Sequence, residues 1–282
     1  MNSPSLIDLH THSHCSDGVL SPIDLVARAA ARGVGLLALT DHDTVAGCAE
    51  ARAACDAAGI RFVAGIEVST SWRGRAIHVI GLDVDARSEA LTRLIESIAT
   101  RRRERVHAIC ERLAARGRIA GRDIAAQVAA TAGLPTRMHL ARALVAMGHA
   151  TDSQQAFDRW LNPGRPGHVP VEWPALTTVL PHLAGACRAL ALAHPHRYKL
   201  SGGALRQLVA DFAAGGGAAL EVDMAGMAPH DQDRIASLAR HHGLAGSAGS
   251  DFHDPAVPWN PPGRFAKLPS GIAPIAERLA DA

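Results

Sequence analysis

Two histidines one residue apart, His10 and His12, follow a short apolar run near the start of the chain. Alternate residues of an extended segment share a face, so the two imidazoles can hold one ion between them. Asp251 and His253 repeat the spacing with a carboxylate near the other end, and Asp17, His42, Glu67, His78 and His194 bring the metal-type side chains to nine. One ion takes about three or four protein ligands, so nine imply two or three divalent ions sharing a bridging carboxylate, a role that Glu67 can fill with its two oxygens. Three such ions against the carboxylates of Asp17, Glu67 and Asp251 leave about +3, which attracts a phosphate dianion. Coordination lowers the pKa of bound water from about 15.7 to roughly 7, so the chemistry expected is hydrolysis by a bridging hydroxide. Asp251 would orient that hydroxide, and His196 is a candidate acid for the departing oxygen.

What must carry these residues to one place is a repeated pattern of strand and helix. Residues 5–9 read as a strand, Ser21-Pro22 opens an apolar-periodic helix that stops at Gly33, and 35–40 reads as a buried strand. A helix over 45–58 closed by Gly59 and strands over 61–69 and 75–83, joined by the turn Arg73-Gly74, follow. From 88 to about 172 the spacing turns helical, with breaks at Gly117, at Gly133-Leu134-Pro135 and over 162–170. Alternation resumes with strands over 189–193, 218–222 and 244–248, helices over 203–214 and 229–242, and a last helix over 272–280. The fold class expected is α/β, a distorted barrel of seven strands, with 1–98 and 176–282 as the barrel and 99–175 as a mostly helical insertion domain. Such barrels carry their sites beyond the C-terminal ends of the strands, and six predicted strand ends deliver the candidate ligands.

The remaining polar residues near these positions receive plainer readings. Asp8, Asp41 and Asp43 are expected to support ligands or cap turns, and Cys15 to be a bystander. His107, His149, His168, His182, His241 and His242 read as surface or hydrogen-bonded histidines. Arg101-Arg102-Arg103 with Arg105 reads first as a solvated helix surface, with contact to RNA as the alternative.

Composition excludes several classes. With 48% hydrophobic and 20% charged residues over 282 positions, the chain is long and apolar enough for a sizeable core, which argues against disorder. A net charge of +2 gives little pull on a nucleic-acid duplex. No uncharged stretch approaches the roughly 20 residues that span a bilayer, and the first nine residues lack a secretory pattern. Five cysteines without a Cys-x-x-Cys pair suit free thiols in the cytoplasm. The sequence sets no oligomeric state.

The motifs, taken in order, resemble the PHP (polymerase and histidinol phosphatase) family of phosphoesterases, relatives of the amidohydrolases. They are Asp8-Leu9-His10-Thr11-His12 with Ser16-Asp17-Gly18, Thr40-Asp41-His42-Asp43-Thr44, Gly65-Ile66-Glu67-Val68-Ser69, His78-Val79-Ile80-Gly81, Ala193-His194-Pro195 and Gly249-Ser250-Asp251-Phe252-His253. The resemblance covers nearly the whole chain outside the insertion and implies a trinuclear centre on a distorted seven-stranded barrel. One ion would take His10, His12, Glu67 and Asp251, a second Glu67, His78 and His194, and a third Asp17, His42 and His253. Manganese is the ion expected first, with iron and zinc as alternatives.

The insertion, with Pro135-Thr136-Arg137-Met138-His139-Leu140-Ala141, looks like the compact bacterial TrpH and RNase AM branch of that family. That likeness implies removal of the 3′-phosphate from adenosine 3′,5′-bisphosphate, with 5′-to-3′ trimming of short 5′-phosphorylated RNA, and an insertion that caps the barrel mouth. The substrate is then a nucleotide or short oligonucleotide. Arg137 is the first candidate for its second phosphate, through a bidentate guanidinium grip, followed by Arg197 and Lys199. Ten aromatic residues offer no interleaved platform for long single strands. Two other readings remain: a histidinol-phosphate or other small-molecule phosphomonoesterase, and a non-catalytic metal-binding scaffold.

Overall fold

The computed structural model describes residues 6–117, 119–131, 133–263 and 268–279. Seven strands form one sheet in chain order: β1 (Leu6–Asp8), β2 (Val34–Leu39), β3 (Arg61–Trp72), β4 (Arg75–Val84), β5 (Cys187–Leu192), β6 (Ala219–Met224) and β7 (Ala245–Gly249). β1 to β3 and β5 to β7 pair in parallel, whereas β4 is antiparallel to both neighbours. Leu9 N donates to Ala248 O at 3.0 Å and Thr11 bridges Phe252, which brings the two edge strands together. The result is the expected α/β barrel of seven strands.

Local sequence explains the elements between. Ser21 accepts a hydrogen bond from Asp24 N and Pro22 follows it, which starts α1 (Pro22–Ala31). Gly59, left-handed at φ 69°, ends α2 (Cys48–Ala58). Arg73 and Gly74, both at positive φ, form the two-residue turn that folds β4 back on β3.

That hairpin changes one expectation. Glu67 and His78 lie inside long strands, not at strand ends, because β3 runs on past the barrel rim and β4 returns in the opposite direction. His42 bridges Glu67, so the middle of β3 stands level with the end of β2. The last helix expected over 272–280 is also different. Ala273 and Pro274 are drawn into extended contact with Gly246, a proline disfavours helix in the residue before it, and only a 3₁₀ turn, Ile275–Leu279, remains. Ala280 lies outside the described residues.

Between β4 and β5 the chain is helical: α3 (Glu89–Arg112), α4 (Gly121–Ala129), α5 (Arg137–Ala146) and α6 (Ser153–Ala156), followed by α7 (Leu176–Ala184). α3 crosses from one core to another. Leu91, Leu94 and Ile98 pack with barrel residues such as Val79 and Leu192. Ile109 and Cys110 pack with Leu113, Ile124, Leu140 and Leu144, a separate helical core. The helical segment touches the barrel rim at Gly133, where an added Cβ would strike the carbonyls of His14 and Ser16, and Leu134 N donates to Cys15 O at 3.1 Å. α8 (Gly202–Ala214) and α9 (Pro229–His241) flank β6 in sequence. No helix among the described residues is long and apolar enough to cross a membrane.

Candidate active site

Glu67 is fully buried and stands at the centre of the nine candidate ligands. Its Oε2 lies 3.3 Å from the Nε2 atoms of His10 and His12 and 3.0 Å from His42 Nδ1. Its Oε1 lies 2.9 Å from both His78 Nδ1 and His194 Nε2. Asp251 Oδ1 is 3.4 and 3.2 Å from the same nitrogens of His10 and His12, and 3.5 Å from His253 Nδ1. Asp17 Oδ1 is 3.2 Å from His253 Nε2 and 3.9 Å from His42 Nε2. All nine side chains therefore meet.

Three overlapping groups have ligand atoms close enough to share an ion: His10, His12, Glu67 and Asp251; His12, Asp17, His42 and His253; and His42, Glu67 and His78. The grouping differs from the one expected in that His12 and His42 each join two groups, while His194 enters through its contact with Glu67 Oε1.

The donor chemistry fits divalent cations. His10 Nδ1 lies 2.8 Å from Glu221 and, as the donor to that carboxylate, leaves Nε2 as a bare acceptor 3.0 Å from His12 Nε2. Two nitrogens and several carboxylate oxygens thus face a common point. Asp17 Oδ1, His42 Nδ1, Glu67 Oε2 and His194 Nδ1 are buried with no hydrogen-bond partner among the described residues, since His42 and Glu67 are close but misaligned. Burial would raise the carboxyl pKa values of Glu67, Asp17 and Asp251, yet the surrounding imidazoles hold all three well below the usual range. Burial would also lower His12, but Asp251 and Glu67 push it up to about 10. The pocket demands positive charge, and ions would supply it.

A layer of buried groups holds these ligands. Asp8, raised to about 6 by burial, accepts from Ser250 N at 2.9 Å and Gly263 N at 2.8 Å, tying the start of the Asp251 loop to β1. Asp41 accepts from Ser13 N and from the hydroxyls of Ser13 and Ser16, which fixes the loop from His12 to Asp17. Asp43 accepts from Ser69 N at 2.6 Å and from Arg102 Nε at 2.7 Å, joining α3 to the rim. Asp43, His194 and Asp251 are non-glycine residues at positive φ, a concentration of backbone strain at the site.

Sequence reasoning passed over two members of this layer. Tyr198 accepts from His78 N at 2.8 Å and donates to Ala193 O at 2.9 Å; its being the single tyrosine was the only available signal. Glu221 is fully buried and accepts from both His10 Nδ1 and His194 N. A glutamate inside the apolar strand Ala-Leu-Glu-Val was the signal for it.

Seven of the nine candidate ligands, all but His10 and His12, line a cavity of about 660 Å³ whose other wall is the helical segment. Arg137 reaches it, as expected, with its guanidinium 5.2 Å from the Phe157 ring. Arg105 and His168 also line it, contrary to their surface readings. Burial and the neighbouring Arg137 and Arg102 bring Arg105 down to about 10. No carboxylate among the described residues pairs with Arg105 or Arg137, whereas Arg102 is buried and neutralised by Asp43. Arg101 and Arg103 are exposed. The apolar part of this wall includes Met138, Phe157, Val171 and Trp173.

Of the other candidates, Arg197 lines the cavity and bonds Asp251 Oδ2 through Nη1. His196 and Lys199 do not line it. Burial, with Arg197 and His194 adjacent, lowers His196 to about 4, so at neutral pH it is the neutral imidazole and not the imidazolium that a general acid needs. That corrects the expected acid. A second cavity of about 370 Å³, beside Ile7, Leu9 and Ala248, has no ionisable residue in its wall.

A family profile described as a PHP domain matches residues 8–163. A Haemophilus influenzae protein named 5′-3′ exoribonuclease is 40% identical over 272 residues, 96% of this chain and 98% of its own length. A Chromobacterium violaceum protein named 3′,5′-nucleoside bisphosphate phosphatase is 39% identical over 273 residues, 97% of this chain and 96% of its own. Among solved structures, an amidohydrolase from Chromobacterium violaceum with bound sulfate and no metal has a TM-score of 0.90 at 37% identity, with 98% of this chain and 96% of that one covered.

Proposed function

This chain belongs to the PHP family and is a phosphoester hydrolase, and from that premise we propose that it removes the 3′-phosphate of nucleoside 3′,5′-bisphosphates, adenosine 3′,5′-bisphosphate among them. On short 5′-phosphorylated RNA the same geometry would release nucleotides from the 5′ end, the activity that the name of the Haemophilus influenzae relative describes. The observation that carries the reading is the facing of two unlike walls across one cavity: seven of the nine candidate ligands on the barrel rim, and the cations Arg105 and Arg137 with the imidazole of His168 opposite. A substrate with two phosphates satisfies both.

The reaction splits the ester bond between phosphorus and the ribose 3′ oxygen with one water. Two or three divalent ions, manganese first, held by His10, His12, Asp17, His42, Glu67, His78, His194, Asp251 and His253, would supply an acidic water and offset charge on the phosphoryl oxygens. Asp251 orients the attacking water, and Arg197, already beside it, faces the transferred phosphoryl group. Arg137 and Arg105 grip the 5′-phosphate, with His168 beside them. Met138, Phe157 and Trp173 exclude water around the nucleoside. The departing oxygen takes its proton from solvent in the cavity, since His196 stands outside the lining. The helical segment acts as the cap domain of the barrel. Free cysteines support a cytoplasmic setting for the enzyme.

Histidinol phosphate fits poorly, because its ammonium would face Arg105 and Arg137. A non-catalytic scaffold would not need nine convergent ligands. A turnover panel with manganese-loaded protein tests the assignment, reading phosphate release from adenosine 3′,5′-bisphosphate, AMP and histidinol phosphate and nucleotide release from short 5′-phosphorylated RNA: the bisphosphate and the RNA should turn over well, and AMP and histidinol phosphate poorly. Equal turnover of all four would overturn it.

A further inference from the structure

We propose that Glu221 is the residue that makes His10 and His194 competent as ligands, by fixing the tautomer of the one and the backbone of the other. The inference rests on reading the nine-residue cluster as a metal centre and is independent of which phosphoester is cleaved.

Glu221 lies on β6, between the strands that lead to the two histidines it touches in the closed barrel, and its side chain has no solvent exposure. The pairing of β6 with β7 shifts register between Glu221 and Asp223, a bulge that re-aims side chains at this level. Its two oxygens have different tasks. Oε1 accepts from His10 Nδ1 at 2.8 Å, so the proton of a neutral His10 sits on Nδ1 and the lone pair of Nε2 points at His12, Glu67 and Asp251. Oε2 accepts from His194 N at 2.6 Å. His194 is left-handed at φ 31° and ψ 53°, a conformation a histidine keeps only when its surroundings hold it, and this places Nε2 2.9 Å from Glu67 Oε1.

A glutamine cannot perform both tasks. It has one acceptor oxygen, and its amide would oppose a second N–H donor in a site closed to water. If the amide faces His10, the favoured tautomer moves the proton to Nε2 and removes the lone pair from the cluster. If it faces His194, the strained backbone loses its anchor. Either way one ligand is lost while charge and shape elsewhere are kept.

The experiment measures manganese binding by calorimetry and elemental analysis, without substrate, on the full chain and on Glu221→Gln. Affinity should fall about 10- to 100-fold for at least one ion. kcat should fall with it while KM for the bisphosphate stays put, because the substrate wall is elsewhere; added manganese should recover part of kcat. A variant that melts at lower temperature but binds manganese with unchanged affinity and stoichiometry would reduce Glu221 to a structural residue and overturn the proposal. Should that variant fail to fold, nitrogen-15 NMR of histidine-labelled unsubstituted protein decides. His10 protonated on Nδ1 and metal-bound through Nε2 in the zinc-loaded form supports the assignment, and His10 metal-bound through Nδ1 overturns it. Failure of the bisphosphate assignment would appear in the turnover panel and leave these readouts untouched.

Discussion

On the barrel rim, nine candidate ligands arrive from separate segments, pack closely together, and are held from behind by Asp8, Asp41, Asp43 and Glu221. Across the cavity, Arg105 and Arg137 stand on helices 32 positions apart in sequence with no carboxylate among the described residues pairing either. The rim is overdetermined and the wall is sparse. The contrast follows from their tasks: ions need several donors placed to within tenths of an ångström, whereas a phosphate needs little more than two guanidinium groups within reach. Chemistry should therefore be lost by disturbing the rim, and selectivity by disturbing the wall.

The largest effect expected is at Glu67. Glu67→Gln removes the charge shared by two of the three ligand groups and should lower phosphate release by about 10³-fold or more, beyond the cost of losing an outer support, with fewer ions found by elemental analysis. Near-normal turnover with full metal content would break the contrast at its strongest point.

Next is Arg102, which belongs to the wall in sequence and to the rim in function. Arg102→Ala leaves Asp43 buried without its partner, with a stability loss of about 3–5 kcal/mol in urea unfolding. A loss no larger than that of Arg105→Ala would place Arg102 with the substrate residues instead.

Arg137→Ala and Arg105→Ala should each raise KM for the bisphosphate about 10- to 100-fold, the value of a charge-assisted hydrogen bond. kcat/KM for a simple aryl phosphate should stay within about twofold, because that substrate has nothing to offer the wall. Equal losses on both substrates would remove the proposed grip on the second phosphate.

The smallest effect is at the joint between the two regions. Gly133→Ala adds a Cβ about 2.5 Å from Ser16 O, so the loop bearing Asp17 or the helical segment must shift. A stability loss of about 1–3 kcal/mol is expected, with slightly weaker manganese binding. Unchanged melting and binding would show that the segment moves freely against the rim.

Recognising the rim required only neighbours in sequence. His10 and His12, or Asp251 and His253, announce shared coordination because two positions along an extended chain restore the same face. The strands leading to them are short apolar runs between helix caps such as Ser21 and Gly59, and these also read locally. Arg105 was misread as surface because helix periodicity reports a face without saying what packs against it, and His168, in the Pro/Gly-rich break over 162–170, has no periodicity to report one.

By itself, then, the order of residues determined the barrel class, most of its strands and the nine candidate ligands that the fold brings together, because short-range periodicity and spacing encode them. Tertiary structure alone decided that β4 runs backwards, that Ala273 and Pro274 join β7 instead of a helix, that His196 stands outside the cavity lining, and that Glu221 serves two histidines from other strands. Those facts depend on contacts between positions up to 211 residues apart. Such contacts exist only once burial has chosen which polar groups must satisfy one another away from water.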